Sequence, residues 1–315
     1  MAHSLDVIDF HNHHIPGQFR QTAADTFPPD QKARWEALAR KLSDENLLLQ
    51  DIRDGDISAR VVNIPAALIA DASGRAPHAT IIAMNDSLAA IAARHPGRIH
   101  GLASIDAYDG DISAREAERA IGQLGLRGVF VDCARGDVMI DAPQARPTLE
   151  VAARLGVPVF VHPVNPQPLT DQMVPYGRIG TLFARGTVNS AALIALIESG
   201  VFSQLPGLRI VVTALAFGGL AMATAFSDQS LQQSGAREIM RKHVLIDTMG
   251  FDPALIRAAV DILGPKNVLA GSDWPIVNDK PIAARLTAAL KATALDEAVQ
   301  KSIAADNCRE LLGLV

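Results

Sequence analysis

The 315-residue sequence predicts an α/β fold, a (β/α)8 TIM barrel in a single domain with long loops at its C-terminal face. Three observations carry this. Short β-branched runs, apolar on both faces as strands buried in a parallel sheet are, recur along the chain. Longer helical patterns lie between them. Gly97, Gly125, Gly156, Gly207 and Gly264 stand just before strand candidates, where each would stop the preceding helix.

In order, the first strand is expected over residues 6–10, followed by a long connection over 17–53 that carries Phe19, Phe27 and Trp35 and covers one end of the barrel. The second strand, 60–64, leads to a helix over 76–94, and the third, 99–105, to a helix over 113–124. The fourth, 128–131, precedes a helix over 147–155. After the fifth, 158–161, a long loop over 163–187 comes before a helix over 190–199. The sixth, 209–213, and seventh, 244–247, precede a helix over 253–263, and the eighth, 267–271, a helix over 280–291. A doubly wound sheet fits less well, because no Gly-rich phosphate loop follows the first strand.

Apolar residues make up 49% of the chain and charged residues 20%, enough for a buried core. A net charge of -5 without a dense Lys/Arg tract gives no electrostatic reason for a nucleic-acid partner. Cys133 and Cys308 make neither a metal-binding spacing nor a disulfide framework. The start MAHSLDVIDF lacks a signal-peptide pattern, and no apolar run reaches the roughly 18 residues of a membrane span. A cytoplasmic protein without membrane partners is therefore expected. The exposed aromatics allow a homodimer.

The chemistry gathers where strands end. Strand one runs into VIDFHNHHIP and delivers His11 and His13, which sit two apart on an extended chain and so face one point. Strand five ends VFVHP with His162, and strand eight ends LAGSDWP with Asp273. Three imidazoles and one carboxylate make a first shell for Zn2+ or a similar divalent ion. Singly, each has an ordinary reading: an isolated HxH, a strand-end His before Pro, a turn-capping Asp. Together they fall at the C-terminal ends of strands one, five and eight, which favours a metal site. His14 follows the pair but points away by alternation, leaving substrate contact as its role. Asp132 and Cys133 after strand four, Asn63, Thr213 and Asp247 at other strand ends, and Trp274 as an aromatic wall complete the candidates. Asp132 could equally cap a helix, Trp274 could pack the rim, and Cys133 reads as packing. His3, His78, His95, His100 and His243 read as surface or helix-end residues, and Asp9 as structural.

The motifs IDFHNHH, VFVHP and LAGSDWP resemble the amidohydrolase superfamily, in the branch typified by aminocarboxymuconate semialdehyde decarboxylase and resorcylate decarboxylase. The runs HPGRIHGLASI, ALIALIESGVFSQLPGLRIVV and LIDTMGFDP extend the resemblance over nearly the whole chain. It implies that His11, His13, His162 and Asp273 hold one divalent ion, zinc or manganese, with Asp273 also handling the proton of a metal-bound water. It implies that loop arginines take substrate carboxylates, for which Arg20, Arg34, Arg178 and Arg185 are placed. One departure stands out. Such proteins carry a His at the end of strand six, in a segment like GHGGG, and RIVVTALAFGG puts Ala214 there. Alanine cannot transfer a proton.

Two enzymatic readings and one non-enzymatic reading follow. The first is metal-assisted hydrolysis of a small cyclic or unsaturated carboxylate, amide or lactone, with Asp273 as the catalytic residue; the four ligand positions suffice for it. The second is non-oxidative decarboxylation of a small aromatic or unsaturated acid, which needs a proton delivered to carbon. The third is a binding protein impaired by loss of the strand-six His. Because that His is missing, the sequence favours hydrolysis.

Overall fold

The computed structural model describes residues 5–19, 29–65, 68–70, 75–277 and 281–314. Its strands are β1 (Ile8–His13), β2 (Ala59–Asn63), β3 (Ile99–Gly101), β4 (Ala103–Ser104), β5 (Val129–Asp132), β6 (Ala134–Arg135), β7 (Val138–Met139), β8 (Pro158–His162), β9 (Arg209–Val212), β10 (Val244–Asp247) and β11 (Val268–Leu269). β6 and β7 form a small antiparallel hairpin outside the barrel. The others run parallel, in the orders β1-β2-β3 and β11-β10-β9-β8-β5-β4.

Two sets of backbone bonds join those sheets. The third barrel strand is split at Leu102, so β3 pairs with β2 and β4 with β5, while Leu102 N donates to Val62 O and Ala103 N to Gly128 O. On the other side, Phe10 N donates to Ala270 O, Asp273 N to His11 O and His13 N to Trp274 O. The eight strands thereby close into the expected barrel. Its interior is apolar: Ile8, Phe10, Val61, Phe130, Phe160, Val211, Leu245 and Leu269 fill it. Alternate residues such as Val62, Val129, Val161, Ile210 and Ile246 face the outer helices.

β1 reaches three residues beyond its expected end and carries a register slip. Ile8 and Asp9 pair with Ala59 and Arg60, but Asn12 and His13 pair with Val62 and Asn63. One extra residue on β1 reverses the alternation. Ile8 and Phe10 point into the barrel, and so, after the slip, do His11 and His13.

The stretch 163–187, expected as a loop, is largely helical, with helices Leu169–Met173 and Gly177–Glu198. The glycines inside the long helix are there for packing. A Cβ on Gly180 would come within 2.2 Å of Met173 O, and one on Gly186 within 2.7 Å of Leu215 O. Across from them, a Cβ on Gly219 would meet Ser190 O at 2.8 Å, so helix Phe217–Ala225 crosses the long helix closely. The segment Leu169–Glu198 is by length and composition apolar enough to cross a membrane, yet one face packs on the barrel and another lines its mouth. In the long first connection, helices Pro29–Ser43 and Glu45–Asp54 replace much of the expected loop. Arg20 and Phe27 lie outside the described residues, as does His3.

Candidate active site

The site is built on an aromatic floor. Phe10 and Phe130 pack against Phe160 inside the barrel, with ring centroids 5.2 and 5.4 Å away. Above them His11, His13 and His162 converge, their ring centroids 5.0–5.7 Å apart and nearly perpendicular. One ligating atom from each lies within 4.8 Å of the others. Asp273 completes the cluster, its Oδ1 3.1 Å from His13 Nε2 and 3.6 Å from His11 Nε2.

Each strand-one imidazole is oriented from behind. His11 Nδ1 donates to Asp247 Oδ2 at 2.6 Å, and His13 Nδ1 to Asn63 Oδ1 at 2.8 Å. Both rings therefore turn Nε2 inward, the arrangement of a metal ligand held by an outer hydrogen bond. Asp247 is itself fixed by the backbone N–H groups of Ala214 and Met249.

The inward atoms fit a cation. His11 Nε2, His162 Nδ1 and Asp273 Oδ1 are buried without a hydrogen-bond partner. Buried polar atoms are normally satisfied, so three such atoms facing one point suit a cation. Burial, with His13 and Arg185 beside it, holds His162 well below the usual histidine range, and burial lowers His13, so both stay neutral and able to ligate. For His11 burial works downward, but Asp273 and Asp247 outweigh it. Burial pushes Asp273 up, but His11, His13 and Arg185 hold it below the ordinary carboxylate value.

The cluster opens onto a cavity of about 340 Å³. His13, His162, Asp273, Asp132, Arg178 and Arg185 line it, with Trp35, Leu38, Pro65, Leu68, Val164, Leu182 and Ile276 as apolar walls. Arg178, Thr181, Leu182 and Arg185 enter from one face of helix Gly177–Glu198, at i, i+3, i+4 and i+7. Arg178 is exposed and spends Nη2 on Ile276 O. Arg185 is half-buried, bonds Asn165 Oδ1 at 3.1 Å through Nη1, and has no carboxylate in ion-pair range among the described residues. Asp132 has an unpartnered buried Oδ1; burial pushes it up to about 7, with Asp106 adding and Arg185 opposing.

His14 and Trp274, expected at the substrate, lie away from the cavity. His14 falls on the outer side of β1 after the register slip; it is buried near Glu45 and Asp44, and burial takes it down to about 4. Trp274 is buried beneath the mouth, with the Arg60 guanidinium 4.2 Å from its ring centroid. Cys133 is buried, with its thiol pushed up to about 12 by burial, and reads as packing. Arg185 was one of four equivalent loop arginines in the sequence; helical spacing from Arg178 was the signal that could have singled it out.

The amidohydrolase family profile matches residues 8–314. The chain belongs to the amidohydrolase family. Among the relatives of this amidohydrolase, gamma-resorcylate decarboxylase of Polaromonas sp. JS666 is 27% identical over 310 residues, covering 91% of this chain and 93% of the relative. The 2-amino-3-carboxymuconate-6-semialdehyde decarboxylase of Dictyostelium discoideum is 25% identical over 246 residues, 73% of this chain and 66% of the relative. A solved structure of dihydroxybenzoic acid decarboxylase from Polaromonas sp. JS666, with bound manganese and the inhibitor 2-nitroresorcinol, superposes with a TM-score of 0.82 at 24% identity, covering 98% and 97% of the two chains. These findings correct the expectation of hydrolysis: the curated relatives this chain matches are decarboxylases. The absent strand-six His was too narrow a basis for favouring a different reaction.

Proposed function

We propose that this member of the amidohydrolase family is a metal-dependent, non-oxidative decarboxylase of a small aromatic or unsaturated carboxylic acid. The observation that carries the reading is the juxtaposition, at one apolar-walled cavity, of the His11–His13–His162–Asp273 cluster and Arg185, which has no carboxylate in ion-pair range among the described residues. The four cluster residues would hold one divalent ion, and their nitrogen-and-oxygen donor set accepts zinc and manganese alike. When bound, that ion neutralises anionic oxygens of the substrate and draws charge from the bond to be broken.

The chain's own groups do the rest. Arg185 pairs with a substrate carboxylate or phenolate, a charge-assisted contact strengthened by the low-dielectric walls. Trp35, Leu38, Leu68 and Leu182 sandwich the flat apolar body and exclude water. Asp132 accepts a hydrogen bond from a ring hydroxyl or donates one when protonated. As the carbon–carboxyl bond breaks, its electron pair stays on the ring or alkenyl carbon and CO2 departs. Asp273, ionised before turnover, takes a proton from a substrate hydroxyl or water on Oδ2 and hands it to the vacated carbon, taking over the step for which Ala214 has no group.

Incubation with 2,6-dihydroxybenzoate and related hydroxybenzoates in D2O tests the proposal. It expects stoichiometric CO2 and one deuterium on the vacated carbon. Solvent 18O in the product without CO2, or no turnover of any such acid by fully metal-loaded protein, would overturn it.

A further inference from the structure

Asp273 has φ +57, a left-handed conformation rarely adopted by a residue with a side chain, so something must hold it there. Its own backbone N–H is bonded to His11 O at 2.8 Å. On its N-terminal side Ser272 is gripped twice by Asp9: its N–H reaches Asp9 Oδ1 at 2.9 Å and its hydroxyl reaches Oδ2 at 2.6 Å. The same hydroxyl accepts from Trp274 N at 3.1 Å, so Asp9 reaches both neighbours of Asp273 through one serine. On the C-terminal side, the Trp274 ring lies against the Arg60 guanidinium.

Arg60 is itself unusual. It is fully buried, is ion-paired to Asp51, lies 3.9 Å from Asp9, and has Nε and Nη1 without hydrogen-bond partners. A methionine or leucine would fill that space without the desolvation penalty of a buried cation. Asp9 and Arg60 are also directly paired across β1 and β2, and the register slip that turns His11 and His13 inward begins right after Asp9. Asn12 Nδ2 closes that slip by donating to Asp9 O at 2.6 Å.

We propose that Asp9 and Arg60 are positioning residues: together they clamp the Ser272–Trp274 turn from beneath and set where the Asp273 carboxylate stands relative to the imidazoles. The consequence for metal binding rests on the function proposed above; the clamp itself does not.

The test uses the full chain, Co2+ as the metal probe and a Trp35→Phe background, in which Trp274 is the sole tryptophan. Ser272→Ala removes only the shared hydroxyl, Arg60→Met removes the charge at similar volume, and Asp9→Ala and Asp9→Asn grade the loss of acceptors. Each is expected to shift Trp274 emission in the metal-free protein, to weaken Co2+ binding roughly ten- to a hundredfold, and to move the visible Co2+ spectrum toward that of Asp273→Asn. Asp9→Asn, which keeps an acceptor for Ser272 N, is expected to fall between Asp9→Ala and the parent. Melting temperature separates this from general loosening: lowered melting with unchanged Co2+ affinity and spectrum overturns the proposal. If the parent takes up no Co2+, the functional reading fails, and Trp274 emission unchanged in metal-free Asp9→Ala and Ser272→Ala overturns the clamp.

Discussion

The ends of β1 and β9 meet at one carboxylate and make opposite use of it. Asp247 takes the His11 imidazole on Oδ2 and the Ala214 backbone N–H on Oδ1. The first contact orients a side chain toward the cation position. The second only finishes a backbone turn, and the Ala214 methyl faces two side cavities rather than the main one. The difference teaches that the cation-holding cluster does not depend on a titratable side chain at the end of the sixth barrel strand. The cluster of nitrogens and oxygen is intact although the neighbouring strand contributes no titratable group.

Breaking the cation-holding side, to which β1 contributes His11 and His13, should cost most. His162→Ala and Asp273→Asn are each expected to lower kcat/KM about a thousandfold or more, with loss of stoichiometric metal in elemental analysis; near-wild-type turnover would remove the cluster from the mechanism. Arg185→Gln should raise KM roughly ten- to a hundredfold with little change in kcat, the size of a lost charge-assisted contact. An effect on kcat alone would place Arg185 elsewhere in the reaction. Asp247→Asn, which keeps the shape but not the charge behind His11, should weaken divalent-metal binding about tenfold in chelator competition.

The β9 side should respond less. The cavity bounded by Ala214, Phe217, Asp247 and Met249 holds only about 20 Å³, so Ala214→His is expected to overpack it. The expected result is a stability loss of about 1–3 kcal/mol by denaturant titration and no gain in turnover. A tenfold rise in turnover would show instead that the space for an imidazole has been kept. A separate effect, seen only in pH dependence, concerns Asp132. Its folded value of about 7 lies above the ordinary 3.8, so between these the native state holds a proton the unfolded chain has released. That contribution is fully present below pH 4 and is lost as pH rises toward 7, with a slope of at most about 1.4 kcal/mol per pH unit. Asp132→Asn should flatten the stability profile over that window; an unchanged slope would mean Asp132 is solvated.

Much of the architecture was legible because strand burial writes itself in β-branched residues, and because His11, His13, His162 and Asp273 all stand at strand ends. What stayed hidden depends on packing between distant segments. The slip after Asp9 leaves no local mark, since IDFHNH alternates acceptably in either register. The sequence reading starts that helix only at 190, and Gly180 and Gly186 inside it serve close contacts with distant segments. Arg185 shares a helical face with Arg178, but with 163–187 read as a loop that spacing carried no weight. Trp274, read as a cavity wall, is instead covered by a buried arginine that no pattern in the chain announces.

The crossing at Gly186 and Gly219 has a mechanical corollary. Arg185 is the residue immediately before the contact, and Leu182 and Thr181 lie one turn earlier on the same rod. A single added methyl at Gly186 would lever the helix off its neighbour and carry the cavity's cationic post and part of its wall outward in concert. The width of the cavity is thus tied to the close approach at Gly186, and re-sizing the chamber means re-shimming that joint.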